Sequence, residues 1–285
     1  MTTPALGLFG INIGGLAEPG AMRSAATHAE AAGVESVWTG EHIVLPDPQA
    51  PPSPAPPETA MVDTVAALTW VAAATTTLRL GTGIIILPQR RPAVLAKSLA
   101  GLDHLSGGRL IFGYGVGYLP AEMEACDTPM ARRGARADEY LAAMRTLWSG
   151  DAVSFEGEFT RFESVSANPK PAQERVPVVV GGHSAAAARR AVAHADGWYG
   201  FMRDVDTTAA DVEALRRAAD EVERPDHLGE LEVSITPAGR LDAETIEAYA
   251  ELGVDRLIPQ PGGQRDLDAV RRWIDDHAAL WSGVG

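Results

Sequence analysis

The chain has 285 residues, 46% of them apolar, a single cysteine and a formal net charge of −14. Charge of that sign argues against nucleic acid, because neutralising phosphates needs a basic surface, and one cysteine, Cys126, leaves no intrachain disulfide. No stretch reaches the ~18 uninterrupted apolar residues of a membrane span. The opening MTTPALGLFGINIGG lacks the basic region and long apolar run of a secretory signal, so a cytoplasmic protein is expected.

Taken in chain order, short apolar runs alternate with helix-period segments. Residues 5–11 (ALGLFGI) read as a strand and 21–33 as a helix ending at Gly33. Strand 34–39 is followed by helix 61–76, strand 78–86 by helix 93–106, and strand 109–115 by helix 133–150. Strand 176–182 leads into helix 184–195, strand 196–201 into helix 208–223, strand 231–236 into helix 242–253, and strand 254–260 into a closing helix 264–281. Strands alternating with helices imply a parallel sheet. Eight such units fit a closed (β/α)8 TIM barrel, which forms one domain of roughly 250 residues, so a single domain over 1–285 is expected. EAAGVESVW, AHADGWYG and AELGVDRLI repeat one helix–glycine–strand pattern. The rival is a doubly wound open sheet, but GINIGGLAEPG after the first strand lacks the G-x-G-x-x-G fingerprint.

Two insertions interrupt the rhythm. The proline-rich 46–60 (PDPQAPPSPAPPETA) follows the second strand, at the face where barrel active sites lie, and its composition predicts an extended polyproline-like path. Residues 152–165 (AVSFEGEFTRFESV), before the fifth strand, predict a small hairpin around a Glu-Gly turn; linking a helix to the next strand, it is expected at the bottom of the barrel as a structural plug.

In a barrel, chemistry collects where strands end. The second strand ends in TGEHI, with Glu41 and His42; the third in GTGII; the fourth in GYGVGYLPAE; the fifth in GGHS. Glycine at these ends lets backbone approach a ligand closely. Gly181 and Gly182 leave N–H groups open, and Ser184 is placed to cap the helix behind them. That arrangement attracts phosphate, although an ordinary capped turn has the same sequence. His42 is either a solvated loop residue or a catalytic one. No strand end carries a Schiff-base lysine: only Lys97, in a helix, and Lys170, in a bottom connection, exist. The seven histidines show no H-x-H or H-E-x-x-H pattern, so no metal site is expected. There is no G-x-S-x-G; Cys126 has no cationic partner fixed by sequence and reads as inert; and His28, His104, His194 and His277 fall in predicted helices. A glycine-opened, anion-binding mouth with one histidine suits a large organic cofactor.

Taken together, GVESVWTGEHIVLP, LRLGTGIIILPQRRPAVLAKSLAGLDHLSGGRLIFGYGVGYLPAEME, VSFEGEFTRFESV and PVVVGGHSAAAARRAVAHADGW resemble the bacterial luciferase-like family of flavin- and deazaflavin-dependent barrel enzymes over roughly residues 5–200. Within it the chain is most similar to the branch that uses coenzyme F420, a 5-deazaflavin. The resemblance implies a deazaflavin ring across the mouth, with Glu41 and His42 as the catalytic pair and His42 exchanging the proton that accompanies hydride transfer. An imidazole, titrating near neutrality, suits that role. It implies a cofactor site at Gly83, Ile84, Gly115, Gly117, Tyr118, Gly181, Gly182, His183 and Ser184, a non-proline cis bond at Gly83–Ile84 with Ile84 backing the ring, a small-molecule substrate and a homodimer. Several relatives carry a carboxylate where this chain has Tyr118; Glu122 stands further along, and the second proton-transfer group is left open. The lysines of the sugar-phosphate-oxidising relatives are missing. Coenzyme F420 is an anion, so arginines must attract it to a −14 chain; Arg90 and Arg91 are candidates. The alternatives are an FMN-dependent monooxygenase and a non-catalytic flavin-binding protein of the same fold.

Overall fold

The computed structural model describes residues 2–262 and 266–284. Its strands are β1 (Ala5–Phe9), β2 (Ser36–Thr39), β3 (Arg79–Thr82), β4 (Ile85–Ile86), β5 (Leu110–Gly115), β6 (Val153–Glu156), β7 (Arg161–Val165), β8 (Val178–Gly181), β9 (Gly197–Arg203), β10 (Glu232–Pro237) and β11 (Arg256–Leu257). The helices are α1 (Pro19–Ala31), α2 (Thr64–Ala72), α3 (Pro92–Ser106), α4 (Pro120–Ala125), α5 (Arg133–Ser149), α6 (Ala185–His194), α7 (Val205–Glu221), α8 (Ala243–Glu251) and α9 (Leu267–Val284). Residues 264–265 of the expected closing helix lie outside the described residues.

Parallel pairing runs β1–β2–β3–β5–β8–β9–β10–β11 and returns to β1, with Leu80 opposite Leu110 and Leu6 opposite Leu257 at two of the joints. This is the expected closed TIM barrel of eight strands. Strand alternation sends one set of side chains inward, where Phe9, Trp38, Ile111, Val179, Tyr199 and Ile258 fill the barrel. The other set meets the helices in a larger apolar layer that includes Leu8, Val37, Leu80, Phe112 and Ile235. Burying each such aliphatic or Phe side chain contributes roughly 1.5–3 kcal/mol. Gly81 is needed for this packing, because a Cβ there would stand 2.2 Å from the ring of Trp38.

Element boundaries follow local chemistry. Asp63 accepts from the N–H groups of Val65 and Ala66, so α2 starts three residues later than the periodicity predicts. Asp204 and Thr207 form a reciprocal capping box that starts α7 earlier than expected. Strand 78–86 is broken into β3 and β4 by a cis peptide at Gly83–Ile84. Across that break the Thr82 hydroxyl donates to Gly113 O at 2.6 Å and accepts from Gly113 N at 2.7 Å, standing in for ladder bonds. The short α4 was not legible, since six residues behind a glycine run show no period.

The proline-rich insertion does not extend. It folds through turns closed by Ser53 N–H to Ala50 O and Thr59 N–H to Pro56 O, with cis bonds at Asp47–Pro48 and Pro51–Pro52. The hairpin β6–β7 forms as predicted, with Phe155 and Phe162 stacked across it. It is not a bottom plug. Its tip reaches the first turns of α5, where the Glu139 carboxylate accepts from the N–H groups of Glu158, Phe159 and Thr160. Three converging donors outweigh what a free turn would offer.

Candidate active site

The loop after β2 is fixed from below by Asn12, fully buried at the end of β1. Its amide donates to Gly40 O (2.9 Å) and Val62 O (2.7 Å), and its carbonyl accepts from Gly40 N (3.0 Å). The next two residues diverge in role. The Glu41 side chain is 3% exposed, accepting from Arg90 at 2.5 Å and from Ile86 N–H at 2.8 Å, and Arg90 also reaches Asp63 at 2.8 Å. Burial pushes the Glu41 carboxyl up, and Arg90 and the Ile86 N–H oppose that shift. Glu41 thus ties the loop after β2 to the strand beyond the Gly83–Ile84 bulge. Arg90, a candidate anion attractor by sequence, is paired with two carboxylates. Arg91 lines, with Asp63, Arg90, Val94 and Ser98, a cavity of about 360 Å³ between α2 and α3.

His42 meets a different carboxylate. Its Nδ1 lies 2.9 Å from Glu122 Oε2, and Glu122, on α4 and fully buried, also accepts from Ile43 N–H at 2.5 Å. With the proton on Nδ1 donated to that carboxylate, Nε2 is left as the acceptor. Tyr118 stands beside it, its hydroxyl 3.5 Å from Nε2 and its ring edge-on to the imidazole. Burial, then the Glu122 charge, raises the Tyr118 phenol above its ordinary value.

Ile84 sits over the barrel interior, packed against Phe9, Trp38 and their neighbours. The strand-end glycines make room for it: a Cβ on Gly115 would lie 2.7 Å from Ile84 Cδ1, and one on Gly181 2.9 Å from its Cγ2. Gly117 has φ +79 and would clash with Ile86 and Met123 if substituted. At the end of β8, Gly182 (φ +123), His183 and Ser184 are exposed at the start of α6, and the Ser184 hydroxyl caps the helix by accepting from Ala187 N. The Gly182 carbonyl accepts from Trp198 Nε1 at 2.8 Å. His183 Nε2 accepts from Phe201 N–H at 3.2 Å; burial, then Arg203, lowers its imidazole below the ordinary value, which keeps it the neutral acceptor this bond needs. Ile43, Val44, Tyr118, Phe201 and Met202, at the strand ends, are large apolar side chains left exposed.

The structure therefore brings His42, Tyr118, Ile84 and the glycines of β5 and β8 to one end of the barrel. It sets Glu41 into an internal ion pair and puts Glu122 against His42 in its place. The sequence does not single out Asn12, and Glu122, though it closes the GYGVGYLPAE stretch, could not be assigned to His42, because both contacts act across more than twenty residues. Burial, then the Glu122 and Glu41 charges, raises the Cys126 thiol at the end of α4; elsewhere Lys97 donates to Asn168 O, and His28 pairs with Asp275. Among the described residues no three His, Cys, Asp or Glu gather at metal-binding distance, and no helix is long and apolar enough to cross a membrane.

The model of the luciferase-like monooxygenase family matches residues 8–284. An uncharacterised protein of Mycobacterium tuberculosis is 35% identical over 192 residues, 64% of this chain and 68% of that one. An F420-dependent glucose-6-phosphate dehydrogenase of Kineococcus radiotolerans is 34% identical over 57% of this chain and 46% of its own. An FMNH2-dependent dimethylsulfone monooxygenase of Pseudomonas putida is 31% identical over 46% of this chain and 35% of its own. Among solved structures, an F420-dependent secondary alcohol dehydrogenase superposes with a TM-score of 0.80 over the whole of both chains at 17% identity, a likeness of fold.

Proposed function

The chain belongs to the luciferase-like monooxygenase family, and we propose that within it the protein is an F420-dependent oxidoreductase moving hydride between the deazaflavin and a small organic substrate. The observation that carries this reading is the orientation of His42, with Nδ1 held by a fully buried carboxylate and Nε2 turned to Tyr118 at an apolar mouth. The mouth fits a flat ring. Ile84 offers an apolar surface that β5 and β8 make room for by having glycine, and the exposed turn at Gly182–Ser184 suits a phosphate. When bound, F420 supplies a carbon that takes or gives hydride.

The chain's own residues handle the proton. A substrate giving up hydride also releases a proton, which His42 Nε2 accepts; in the reverse direction the imidazolium returns it. Glu122 fixes the tautomer and stabilises the imidazolium, as a buried carboxylate behind a catalytic imidazole does. Glu41, with Arg90, holds the loop in place rather than touching substrate. Gly83, Ile84, Gly115, Gly117 and Tyr118 would hold the ring, and Gly181, Gly182, His183 and Ser184 the phosphate. In this reading residues 1–285 make one barrel domain of a cytoplasmic homodimer. Light scattering tests the pairing.

The deciding experiment is parallel titration of the purified protein with F420 and FMN, followed by turnover on a panel of alcohols and carbonyls. Tight binding of FMN with none of F420 would replace this reading with the flavin monooxygenase one. Binding without turnover on any substrate would favour a carrier.

A further inference from the structure

We propose that the Tyr118 hydroxyl is a second catalytic group of this site: it donates a hydrogen bond to the substrate oxygen whose proton His42 exchanges, and so favours hydride transfer at a carbon that bears a hydroxyl or carbonyl. The proposal rests on the oxidoreductase reading above and deepens it, since that reading gives the proton a place but leaves the oxygen without support.

One short stretch of chain brackets the imidazole. Glu122, on α4, takes Nδ1 at 2.9 Å, and Tyr118, just ahead of that helix, brings its hydroxyl to 3.5 Å from Nε2 with the two rings edge-on. Because the Nδ1 proton is committed to the buried carboxylate, Nε2 carries a lone pair, and the phenol is the donor of the two. Burial, then the Glu122 charge, raises the phenol, which keeps its proton in place at neutral pH. Among the described residues no other donor stands beside Nε2: the Asn12 amide is engaged by Gly40 O and Val62 O, and Arg90 by Glu41 and Asp63. The stretch is also held in place. Gly117 has φ +79, a Cβ there would meet Ile86 Cγ2 at 2.8 Å and Met123 Sδ at 2.9 Å, and Arg133 Nε donates to its carbonyl at 3.0 Å. Tyr118 itself is 48% exposed, and its hydroxyl has no partner but Nε2 among the described residues. A ligand that reaches Nε2 therefore lies beside the hydroxyl.

The separation exceeds the ~2.8 Å of a good hydrogen bond, so the two groups satisfy each other poorly. One oxygen placed at about 2.8 Å from both serves the two at once. In alcohol oxidation that oxygen gives its proton to Nε2 while hydride passes from the carbon to the deazaflavin, and the electron pair of the O–H bond becomes the second bond of the carbonyl. Tyr118 keeps its own proton throughout. Its hydrogen bond stabilises the negative charge that gathers on the oxygen as the proton leaves. In the reverse direction the phenol and the imidazolium polarise the carbonyl together, hydride arrives at the carbon, and the imidazolium proton goes to the oxygen. A substrate with no oxygen on the reacting carbon leaves the phenol unpaired, which is how a site built to bond a hydroxyl discriminates. The role belongs to the hydroxyl; the ring still borders the cofactor in the reading above.

The test compares wild type with Tyr118→Phe, which keeps the ring and removes the hydroxyl, both loaded with F420. One readout is turnover of secondary alcohols and ketones. The other is the affinity of an unreactive carboxamide, isobutyramide, whose carbonyl accepts from Tyr118 and whose NH2 donates to Nε2, followed by fluorescence titration. We expect Tyr118→Phe to lose roughly 10–100-fold in kcat/KM and about tenfold in carboxamide affinity, as loss of a hydrogen bond to an oxygen that gains charge predicts. Melting temperature and F420 affinity should hold. Unchanged kcat/KM would reduce Tyr118 to an aromatic wall and overturn the proposal. So would a fall in kcat/KM with carboxamide affinity intact, which would leave the hydroxyl orienting His42 without touching substrate. If the wild type exchanges hydride with no alcohol or carbonyl, the oxidoreductase reading fails and this role with it; the other two outcomes leave that reading standing.

Discussion

Replacing Glu122 by glutamine changes one oxygen for a nitrogen in a fully buried site and removes its charge. The carboxylate has two partners, Ile43 N–H at 2.5 Å and His42 Nδ1 at 2.9 Å. A glutamine carbonyl can keep the first; its NH2 then faces Nδ1, which must become the acceptor. The imidazole proton moves to Nε2, the atom that should receive the substrate's proton, and an imidazolium formed there is no longer balanced by a charge. A hydrogen bond to a charged group is worth ~1.5–3 kcal/mol, which corresponds to a loss of roughly 10–150-fold in turnover. Cofactor affinity should stay within about threefold, because the carboxylate is buried behind His42. Steady-state turnover reads the first effect, fluorescence titration the second, and nitrogen NMR of labelled His42 the tautomer directly. A variant with full turnover, or one whose neutral His42 still carries its proton on Nδ1, would refute the dyad.

His42→Ala should keep cofactor binding within about tenfold, ~1.4 kcal/mol, while turnover falls on the order of 10²-fold or more; unchanged turnover would assign His42 to the loop. Arg90→Met leaves Glu41 as an uncompensated buried charge and should cost ~3–5 kcal/mol in denaturant unfolding at pH 7, a cost that should shrink on acidification, because burial already raises this carboxyl and protonation neutralises it. A loss of turnover in Arg90→Met without loss of stability would instead give Glu41 a chemical role. Gly81→Ala puts a Cβ 2.2 Å from the Trp38 ring and should destabilise by at least ~1–3 kcal/mol, read from the denaturation midpoint. Glu30 has its folded value lowered from 4.5 to about 2: burial raises it, but N–H donors from Thr77, Thr76 and Leu78 outweigh that. Its stabilisation is therefore full above about 4.5 and lost as pH falls through about 2. The stability gap between wild type and Glu30→Gln should be present at pH 7 and shrink across that window; a gap that grows on acidification would contradict it.

The sequence by itself marked eight strand–helix units and hence a parallel sheet, because strand burial and helix periodicity are local signals repeated eight times; that the sheet closes, rather than staying open as in the doubly wound rival, is a matter of long-range pairing that the structure decided, through β1 with β11 and β3 with β5. It also marked the strand ends, since the glycines at 81, 113, 115 and 181 are where a side chain would collide with Trp38, Thr82 or Ile84. What it left undecided was pairing. Glu41 stands next to His42 in the chain yet turns to Arg90, forty-nine residues away, while Glu122, eighty residues on, reaches the imidazole. Adjacent residues at a strand end point to different sides of the backbone, so a neighbour in sequence is rarely the partner in chemistry. The same holds for Arg90, which as a letter reads as a free cation. Only the tertiary structure shows that two carboxylates converge on it, and distance and solvation, which composition does not record, set that.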